Sequence, residues 1–295
     1  MRDGEASVSI GFIGLGVMGE PMCRNLAQNQ GEPVIGFDQS PAPLERLAGH
    51  GVRAAASLGE VAQGCDVIFM ALPSGRHVQA VCATLLAEAR VGQIVVDLGT
   101  SPVALSRDLA ASFAAEGARY ADAPIARTRQ AAEAGTLSIM VGAEADLFAA
   151  IRPYLACMAS DITHCGGVGT GQIAKIMNNM VLIQTVIGLS EAIAVARRAG
   201  MDGGALLETL AKGSADSFAL RNHGLKAIIP GAFPERAFSV EYARKDLGYA
   251  LELAREVGIT LRSAALADDM LGEAIARGDG ALYWPVVSRV INPVG

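Results

Sequence analysis

The chain has 295 residues, of which 51% are hydrophobic and 18% charged, and its formal net charge is −6. This composition predicts one large or two ordinary globular domains and excludes an extended disordered chain. The negative charge, and the lack of a Lys/Arg run interleaved with aromatic residues, argue against nucleic-acid binding.

Targeting, redox and metal signals are weak. Five scattered cysteines without a CxxC pair favour reduced thiols in a cytoplasmic protein over a disulfide framework or a zinc site. Residues 1–12 lack the basic and apolar regions of a signal peptide. The apolar stretch 180–189 is short and contains Gln184, so we expect no membrane span. Without a His, Asp and Glu cluster at ligand spacing, we expect no metal site.

The chain starts with a strand, a glycine-rich turn and a helix. Residues 8–13 are apolar and predict a buried strand, and residues 20–30 predict a helix. The Gly-x-Gly-x-x-Gly turn between them consists of Gly14, Leu15, Gly16, Val17, Met18 and Gly19. In such a turn the first glycine permits the bend, the second admits a pyrophosphate, and the third lets the helix pack on the strand. The setting predicts dinucleotide binding.

An acidic residue follows the second predicted strand, residues 33–37. Asp38 lies 19 residues after Gly19, where an acid accepts hydrogen bonds from an adenosine ribose. It would repel the 2′-phosphate of NADP, and no Arg or Lys is among the next several residues, so NAD is favoured over NADP. The alternative is a turn residue before Ser40 and Pro41.

Strands and helices alternate up to about residue 165. Strands are expected at residues 66–72, 93–98, 119–123, 136–142 and 161–164, and helices at 44–50, 57–63, 77–90, 103–116 and 145–155. The alternation predicts an α/β domain over residues 1–165, with a doubly wound parallel sheet covered by helices. Ligands bind beyond the carboxyl ends of such strands, so Leu72, Pro73 and Thr100 are candidate cofactor contacts, or else ordinary loop residues.

Residues 166–295 carry no strand signal and predict an all-helical domain. Its first helix, over about residues 169–200, is apolar around most of its circumference, which predicts burial. Lys175, Asn178 and Asn179 lie on one face of it. A lysine there needs a partner or a function, unless its amine simply reaches solvent beside two hydrated asparagines. Later helices are expected at 203–213, 218–229, 237–257 and 261–277.

Several segments, in order, resemble the β-hydroxyacid dehydrogenase family, which includes 3-hydroxyisobutyrate dehydrogenase and tartronate semialdehyde reductase. They are GFIGLGVMGEPM (11–22), FMALPS (69–74), DLGTSPV (97–103), DAPIARTRQAAEAGTLSIMVG (122–142), GGVGTGQIAKIMNN (166–179) and KDL (245–247). The resemblance implies a Rossmann domain joined by a long helix to a helical domain, in homodimers or homotetramers.

The resemblance also implies the roles of individual residues. It implies that Lys175 is catalytic and that Asn179 and the segment after Pro124 contact the substrate. It implies NAD contacts from the glycine turn, Leu72, Pro73, Thr100 and Lys245. The chemistry is consistent, because an ammonium can donate a proton to a carbonyl oxygen as hydride arrives, and a neutral lysine can take it back. Asn178 and Asn179 would hold the substrate oxygen and orient Lys175. The expected substrate is a small anionic 3-hydroxy acid or its semialdehyde.

One segment departs from the family pattern. The family usually has Ser-Gly-Gly where this chain has Ala126, Arg127 and Thr128, followed by Arg129. An arginine fork suits an oxyanion, so these residues are expected to bind the substrate and to favour a more highly charged or bulkier oxyanion than 3-hydroxyisobutyrate. The Arg-Thr pair is similar to that of sulfolactaldehyde reductase, which makes a sulfonate the alternative to a carboxylate. Arg127 could instead face solvent or the cofactor.

Other functions fit parts of the pattern. Imine reductases share the architecture but usually lack the lysine. 6-Phosphogluconate dehydrogenases are much longer and carry a histidine where this chain has Asn178. A non-catalytic dinucleotide-binding module would typically have lost Lys175, which is present here with both asparagines.

Overall fold

A computed structural model describes residues 8–235 and 237–291. Most of residues 1–12, on which the expectation about a signal peptide depends, lies outside the described residues. The chain forms two compact units, residues 1–175 and 176–295. The division falls inside the long helix, ten residues after the boundary predicted from the sequence.

The first unit contains a sheet of nine strands. The strands are β1 (Ile10–Ile13), β2 (Val34–Phe37), β3 (Val52–Ala54), β4 (Val67–Met70), β5 (Ile94–Asp97), β6 (Arg119–Asp122), β7 (Ile125–Ala126), β8 (Leu137–Gly142) and β9 (Ala159–Gly166). Their order is β3-β2-β1-β4-β5-β6-β8-β7, with β9 paired to β8. Strands β1 to β6 are mutually parallel, in the order of a doubly wound Rossmann fold, so the predicted fold class is confirmed.

The central strands are apolar on both faces, which is why helices must cover both sides of the sheet. In β1, Phe12 belongs to the core on one side and Ile13 to the core on the other. In β4, Phe69 and Met70 divide in the same way. The helices of this unit are α1 (Gly19–Gln30), α2 (Pro41–Leu47), α3 (Leu58–Gly64), α4 (Gly75–Ala87), α5 (Val103–Ala115), α6 (Arg129–Glu133) and α7 (Ala145–Leu155).

The sheet is not parallel throughout, which differs from the prediction. Strand β8 pairs antiparallel with β6 and β7, and parallel with β9. A parallel partner for β6 would need a long crossover, usually a full helix. The connection from β6 to β8 contains only β7 and the five-residue helix α6. The short strands β3 and β7 and helix α6 were not predicted.

The remaining helices are α8 (Thr170–Arg198), α9 (Gly203–Leu210), α10 (Val240–Glu256), α11 (Arg262–Ala276) and α12 (Ser288–Ile291). The segment Leu220–Ile228, expected as a regular helix, is π-helical. Its pitch shows in the bond from the Ile229 N–H to the Gly224 carbonyl, five residues back. A 3₁₀ turn, Trp284–Val287, precedes α12, and neither was predicted. The hydrophobic core of the second unit contains Trp284, together with Ile183 and Val186 of α8.

Helix α8 is less buried than its composition predicts. Val181 and Val195 are 56% and 68% exposed in the single chain. The helix has 29 residues and, by length and composition alone, is long and apolar enough to cross a membrane, contrary to the expectation from residues 180–189. Half of the most apolar 18-residue stretch of this helix is buried inside the protein, and core helices of soluble proteins can be equally long and apolar.

Candidate active site

The three glycines of the turn after β1 have different surroundings. Gly14 has a φ of +88°, and a Cβ there would lie 2.5 Å from the Ala71 carbonyl oxygen. A Cβ on Gly19 would overlap the Gly14 carbonyl oxygen where α1 begins. A Cβ on Gly16 would meet nothing within 4 Å. Gly14 and Gly19 are therefore required by the fold, whereas Gly16 leaves open space in front of the helix N-terminus.

Asp38 is bonded to the glycine turn. Its Oδ2 accepts a hydrogen bond from the Leu15 N–H at 2.7 Å, and its Oδ1 accepts one from the Ser40 N–H at 2.8 Å. The Gly14 N–H donates to the Phe37 carbonyl at 2.9 Å. The end of β2 and the glycine turn thus form one bonded surface. Each carboxylate oxygen retains capacity for a further donor, such as a ribose hydroxyl.

The two predicted loop contacts lie beside the same surface. Leu72 Cδ2 would be 3.0 Å from a Cβ on Gly14, and the Leu72 carbonyl oxygen would be 3.0 Å from a Cβ on Gly99. Exposed Pro73 and half-buried Thr100 follow these positions directly. Three loops after parallel strands are therefore adjacent, as the strand topology requires.

Asp97 shapes the loop that carries Thr100. This acid ends β5 and is fully buried. Its Oδ1 accepts from the Gly99 N–H and its Oδ2 from the Ser101 hydroxyl, both at 2.8 Å. Burial raises the pKa of Asp97 to about 7, and the nearby Asp122 carboxylate adds to this effect. Thr100 thus lies between two residues held by one carboxyl group.

Asp122 caps the long helix. It ends β6 as the register partner of Asp97 and is also fully buried. Its Oδ1 accepts from the Gly169 N–H at 2.6 Å and its Oδ2 from the Gln172 N–H at 2.7 Å. A Cβ on Gly171 would lie 2.8 Å from Oδ2, so only glycine admits this approach. Burial raises the pKa of Asp122 to about 6, although these backbone bonds oppose the shift.

Gln172 joins the Thr100 loop to the start of α8. Its Nε2 donates to the Gly99 carbonyl at 2.9 Å, and its Oε1 accepts from the Ser101 N–H at 3.1 Å. Lys175, partly buried, follows one turn later on the same helix face. The first unit therefore connects the glycine turn, Leu72, the Thr100 loop and the turn that leads to Lys175.

A second group of predicted residues lies in the helical unit. Asn179 is 3% exposed, and its Nδ2 donates to Asp246 Oδ2 at 2.7 Å. Exposed Asn178 donates from Nδ2 to Asn179 Oδ1 at 3.1 Å. Lys245 Nζ lies 3.1 Å from Asp246 Oδ1 and within 5.4 Å of the ring centroids of Tyr242 and Tyr249. Asp246 therefore holds both Asn179 and Lys245.

Arg127 has several partners within the first unit. Its guanidinium donates to the Thr136 carbonyl at 2.6 Å and to the Ser160 hydroxyl at 2.8 Å, and it pairs with Asp161 Oδ2 at 2.6 Å. Thr136 directly precedes β8, and Ser160 and Asp161 lie in β9 beside its beginning, whereas Gly142, beside Asp122, ends β8. The six residue steps from Thr136 to Gly142 cover about 20 Å. Substrate binding by Arg127 stays a prediction, and it would require these bonds to break.

The neighbours of Arg127 are held by local structure. Ala126 lies in β7, opposite Ser138 of β8. Thr128 precedes α6, and its Oγ1 accepts from the Ala131 N–H at 3.4 Å. Arg127 has a φ of +86°, a conformation that favours glycine. The arginine therefore keeps a backbone shape that suits the glycine the family usually has here.

Sequence reasoning did not single out Asp97, Asp122, Gln172 or Asp246 as individual site residues. For Asp97 and Asp122 the sequence did contain a signal, because each acid ends a strand that is predicted to be buried. A buried acid needs hydrogen-bond donors, so both residues could have been examined as the centre of a bonded site. Gln172 was hidden because a glutamine near a helix start carries no specific signal. In the part of the chain that the structure describes, no group of three His, Cys, Asp or Glu side chains is placed to hold a metal ion.

The donor and acceptor set suits a dinucleotide. The open space at Gly16, at the first turn of α1, would admit a pyrophosphate, and Asp38 would accept from a ribose. Leu72, Pro73 and Thr100 would lie along the same ligand, since they follow neighbouring strands.

Known proteins match both halves of the chain. Residues 9–167 match the NAD-binding domain of 6-phosphogluconate dehydrogenase. Residues 169–283 match a model described as the NAD-binding of NADP-dependent 3-hydroxyisobutyrate dehydrogenase.

Full-length relatives agree with these matches. The chain is 34% identical over 289 residues to 2-(hydroxymethyl)glutarate dehydrogenase of Eubacterium barkeri, covering 97% of this chain and 95% of that protein. It is 35% identical over 272 residues to 3-hydroxyisobutyrate dehydrogenase of Pseudomonas aeruginosa, covering 88% and 90%. The structure of Mycobacterium tuberculosis 3-hydroxyisobutyrate dehydrogenase with L-serine matches with a TM-score of 0.90 and 31% identity, covering 97% and 100%. The chain therefore belongs to the β-hydroxyacid dehydrogenase family of NAD(P)-dependent oxidoreductases.

Proposed function

We propose that the protein is an NAD-preferring dehydrogenase for small 3-hydroxy carboxylates and their semialdehydes, with Lys175 as the general acid and base. The observation that carries the proposal is the chain of contacts from the glycine turn through Leu72 and the Thr100 loop to Gln172. It connects the surface suited to a dinucleotide with the helix turn that precedes Lys175.

The relatives support one class of substrate. 3-Hydroxyisobutyrate, 2-(hydroxymethyl)glutarate and L-serine, which occur in the names of the matched proteins, share a hydroxymethyl group on the carbon beside a carboxylate. We infer that this unit is what the site recognises. The sulfonate alternative depends on Arg127, whose guanidinium is bonded to Asp161 and Ser160, so we favour the carboxylate.

The proton transfer is assigned to Lys175. In the oxidation, the neutral amine takes the proton of the substrate hydroxyl while the carbinol carbon loses a hydride, and an aldehyde forms. In the reduction, the ammonium returns that proton to the carbonyl oxygen. When bound, the dinucleotide supplies the nicotinamide carbon that accepts or returns the hydride. Asn179, fixed by Asp246, and the adjacent Asn178 are proposed to hold the substrate, and Lys245 to contact the cofactor.

The test is reduction of NAD at alkaline pH with a panel of 3-hydroxyisobutyrate, 2-(hydroxymethyl)glutarate, L-serine and 2,3-dihydroxypropane-1-sulfonate. We expect turnover of at least one carboxylate and a loss of roughly 10²–10⁴-fold in kcat for Lys175→Ala. Lys212→Ala, an exposed lysine after α9, is the matched control. A Lys175→Ala variant as fast as wild type would refute the assignment of the lysine. Binding of NAD without turnover of any compound would favour a non-catalytic module.

The exposed stripe on α8 supports a homodimer or homotetramer. Val181, Gly188 and Val195 recur every seven residues and are all exposed in the single chain. A surface of this kind favours contact with a second copy. Sedimentation should show an oligomer that Val195→Lys weakens, whereas Val257→Lys, on an exposed valine after α10, leaves it intact. A monomeric wild type would contradict this part of the proposal.

A further inference from the structure

The Gln172 side chain makes one bond on each side of Thr100. Its amide nitrogen donates to the carbonyl of Gly99, and its amide oxygen accepts from the N–H of Ser101. Gln172 is fully buried, so these bonds form without competing water. The amide of Gln172 thus bonds both peptide groups that flank Thr100, one through its donor and one through its acceptor. These two bonds restrain the position and the orientation of Thr100.

The backbone of Gln172 is fixed as firmly as its side chain. The N–H of Gln172 donates to Asp122 Oδ2 at 2.7 Å, and Asp122 itself ends β6. The glycine at 171 brings the helix backbone against β8, since a Cβ there would overlap the Met140 carbonyl oxygen. The first turn of α8 therefore cannot shift along the sheet without breaking a buried charge-assisted bond.

The other side of the Thr100 loop is fixed by Asp97, the register partner of Asp122. Asp97 accepts from the Gly99 N–H and the Ser101 hydroxyl, while Gln172 bonds the Gly99 carbonyl and the Ser101 N–H. Four bonds thus hold the two residues that flank Thr100, two from the sheet and two from the helix. The Thr100 hydroxyl is not needed for any of them.

We propose that Gln172 is a positioning residue, which sets the distance between the Thr100 loop and Lys175. It would thereby align the cofactor that Thr100 contacts with the amine of Lys175. The inference rests on the proposed function, in which Thr100 contacts the cofactor and Lys175 transfers the proton. Gln172 and Lys175 are three residues apart on one helix face, so a shift of the loop relative to Gln172 becomes a shift relative to Lys175. Misplacement by about 1 Å can slow a reaction about 100-fold.

The principal variant is Gln172→Met, which keeps the length of the side chain and removes both bonds. Gln184→Met, a glutamine further along α8, is the matched control. Gln172→Asn is the second variant, because it keeps the polar amide group but is one methylene too short to reach both peptide groups. All are compared with wild type as the full-length protein.

Two readouts separate positioning from general loss of structure. The first is amide hydrogen exchange, measured on the protein without added dinucleotide, which should rise at least 10-fold for Ser101 in Gln172→Met and stay at the wild-type rate in β1 and β4. The second is the deuterium isotope effect on kcat with substrate deuterated at the carbinol carbon. It should increase in the variant, with kcat reduced about 10–100-fold and KM changed less than threefold. A smaller folded fraction would lower kcat without changing the isotope effect.

The outcomes distinguish this inference from the proposed function. If Lys175→Ala loses activity while both Gln172 variants keep the wild-type kcat, isotope effect and Ser101 exchange, the positioning role is refuted alone. If Lys175→Ala is fully active, the proposed function fails. In that case faster exchange at Ser101 would establish only that Gln172 holds the loop, and the catalytic alignment would be refuted as well.

Discussion

The backbone N–H of Leu15 donates to Oδ2 of Asp38 over 2.7 Å, so the residue predicted to select the cofactor also holds the glycine turn. Removing its charge and removing its hydrogen bonds are therefore different experiments. Asparagine keeps one acceptor oxygen and loses the charge, whereas alanine loses both.

We expect Asp38→Asn to lower the NAD/NADP ratio of kcat/KM at least 10-fold, because the 2′-phosphate is no longer repelled. Asp38→Ala should shift the ratio similarly and also destabilise the fold by about 1–2 kcal/mol, since the Leu15 and Ser40 N–H groups lose their acceptor. Glu45→Gln, an exposed acid on α2, is the control for general charge effects. An unchanged ratio in Asp38→Asn would contradict the assigned role.

The glycine turn offers a matched pair of substitutions. Gly16→Ala adds a methyl group into open space, so the melting temperature should stay near that of wild type while the Kd for NADH rises at least 10-fold. Gly19→Ala places the same methyl group against the Gly14 carbonyl oxygen. It should lower the free energy of unfolding by about 1–3 kcal/mol. Thermal unfolding and NADH fluorescence check both variants. Wild-type NADH affinity in Gly16→Ala would mean that no phosphate approaches there.

Arg127 can be tested through stability and substrate binding separately. Its φ of +86° costs about 1–2 kcal/mol for a residue other than glycine, and its exposed bonds to Asp161 and Ser160 offset part of this cost. We expect Arg127→Ala to be less stable than wild type by about 1 kcal/mol and Arg127→Gly to be within about 0.5 kcal/mol of it, as measured by urea unfolding.

The same variants decide whether the guanidinium binds the substrate. If it remains with Asp161, KM for the carboxylate should change less than threefold in Arg127→Gly. A KM increased 30–100-fold, which corresponds to about 2–3 kcal/mol for a lost charged hydrogen bond, would assign Arg127 to the oxyanion.

The buried acids predict how stability depends on pH. Burial raises the pKa of Asp97 from 3.8 to about 7, so the native state binds this proton more tightly than the unfolded state does. The contribution of Asp97 to the free energy of unfolding is therefore fully present below pH 4 and is lost as pH rises to 7, with a total on the order of 4 kcal/mol. His223 acts in the opposite direction, because burial lowers its pKa to about 4 and its contribution is lost as pH falls from 6.5.

The comparison of Asp97→Asn with wild type isolates the acid. In urea unfolding from pH 4 to 8, the free energy of unfolding should decline less with rising pH in Asp97→Asn than in wild type. Some decline should remain in the variant, because the pKa of Asp122 is also raised, to about 6. His223→Gln serves as the control for the opposite trend, because it removes the contribution that is lost as pH falls from 6.5 to about 4. Parallel profiles for wild type and Asp97→Asn would mean that Asp97 is ionised in the native protein throughout this range.

The sequence predicted those parts of the fold that depend on long periodic segments. Helix α7 has the predicted bounds, and α3 begins one residue after its predicted start at Ser57, whose hydroxyl caps the helix by accepting from the Glu60 N–H. Strand β3 has three residues and β7 two, too few to show a period, and their pairing is decided by neighbours distant in sequence. Local pattern cannot supply that information.

The candidate site shows the same division. The glycine turn and Asp38 follow from spacing within one βαβ unit. The bonds from Gln172 to the Thr100 loop join residues 71 and 73 positions apart, and those from Asp122 to α8 join residues up to 50 apart. No spacing rule predicts them, because they depend on how β5 and β6 meet the helix in space.

The cap that Asp122 provides for α8 limits how the protein can be cut into pieces. A fragment ending at residue 165, or at residue 167 where the matched NAD-binding domain ends, would retain the acid but lose its Gly169 and Gln172 donors. A buried carboxylate deprived of these donors is costly, and the Thr100 loop would also lose its two bonds to Gln172. An isolated cofactor-binding fragment should therefore extend through the first turn of α8, so the expression boundary belongs inside the helix and not before it.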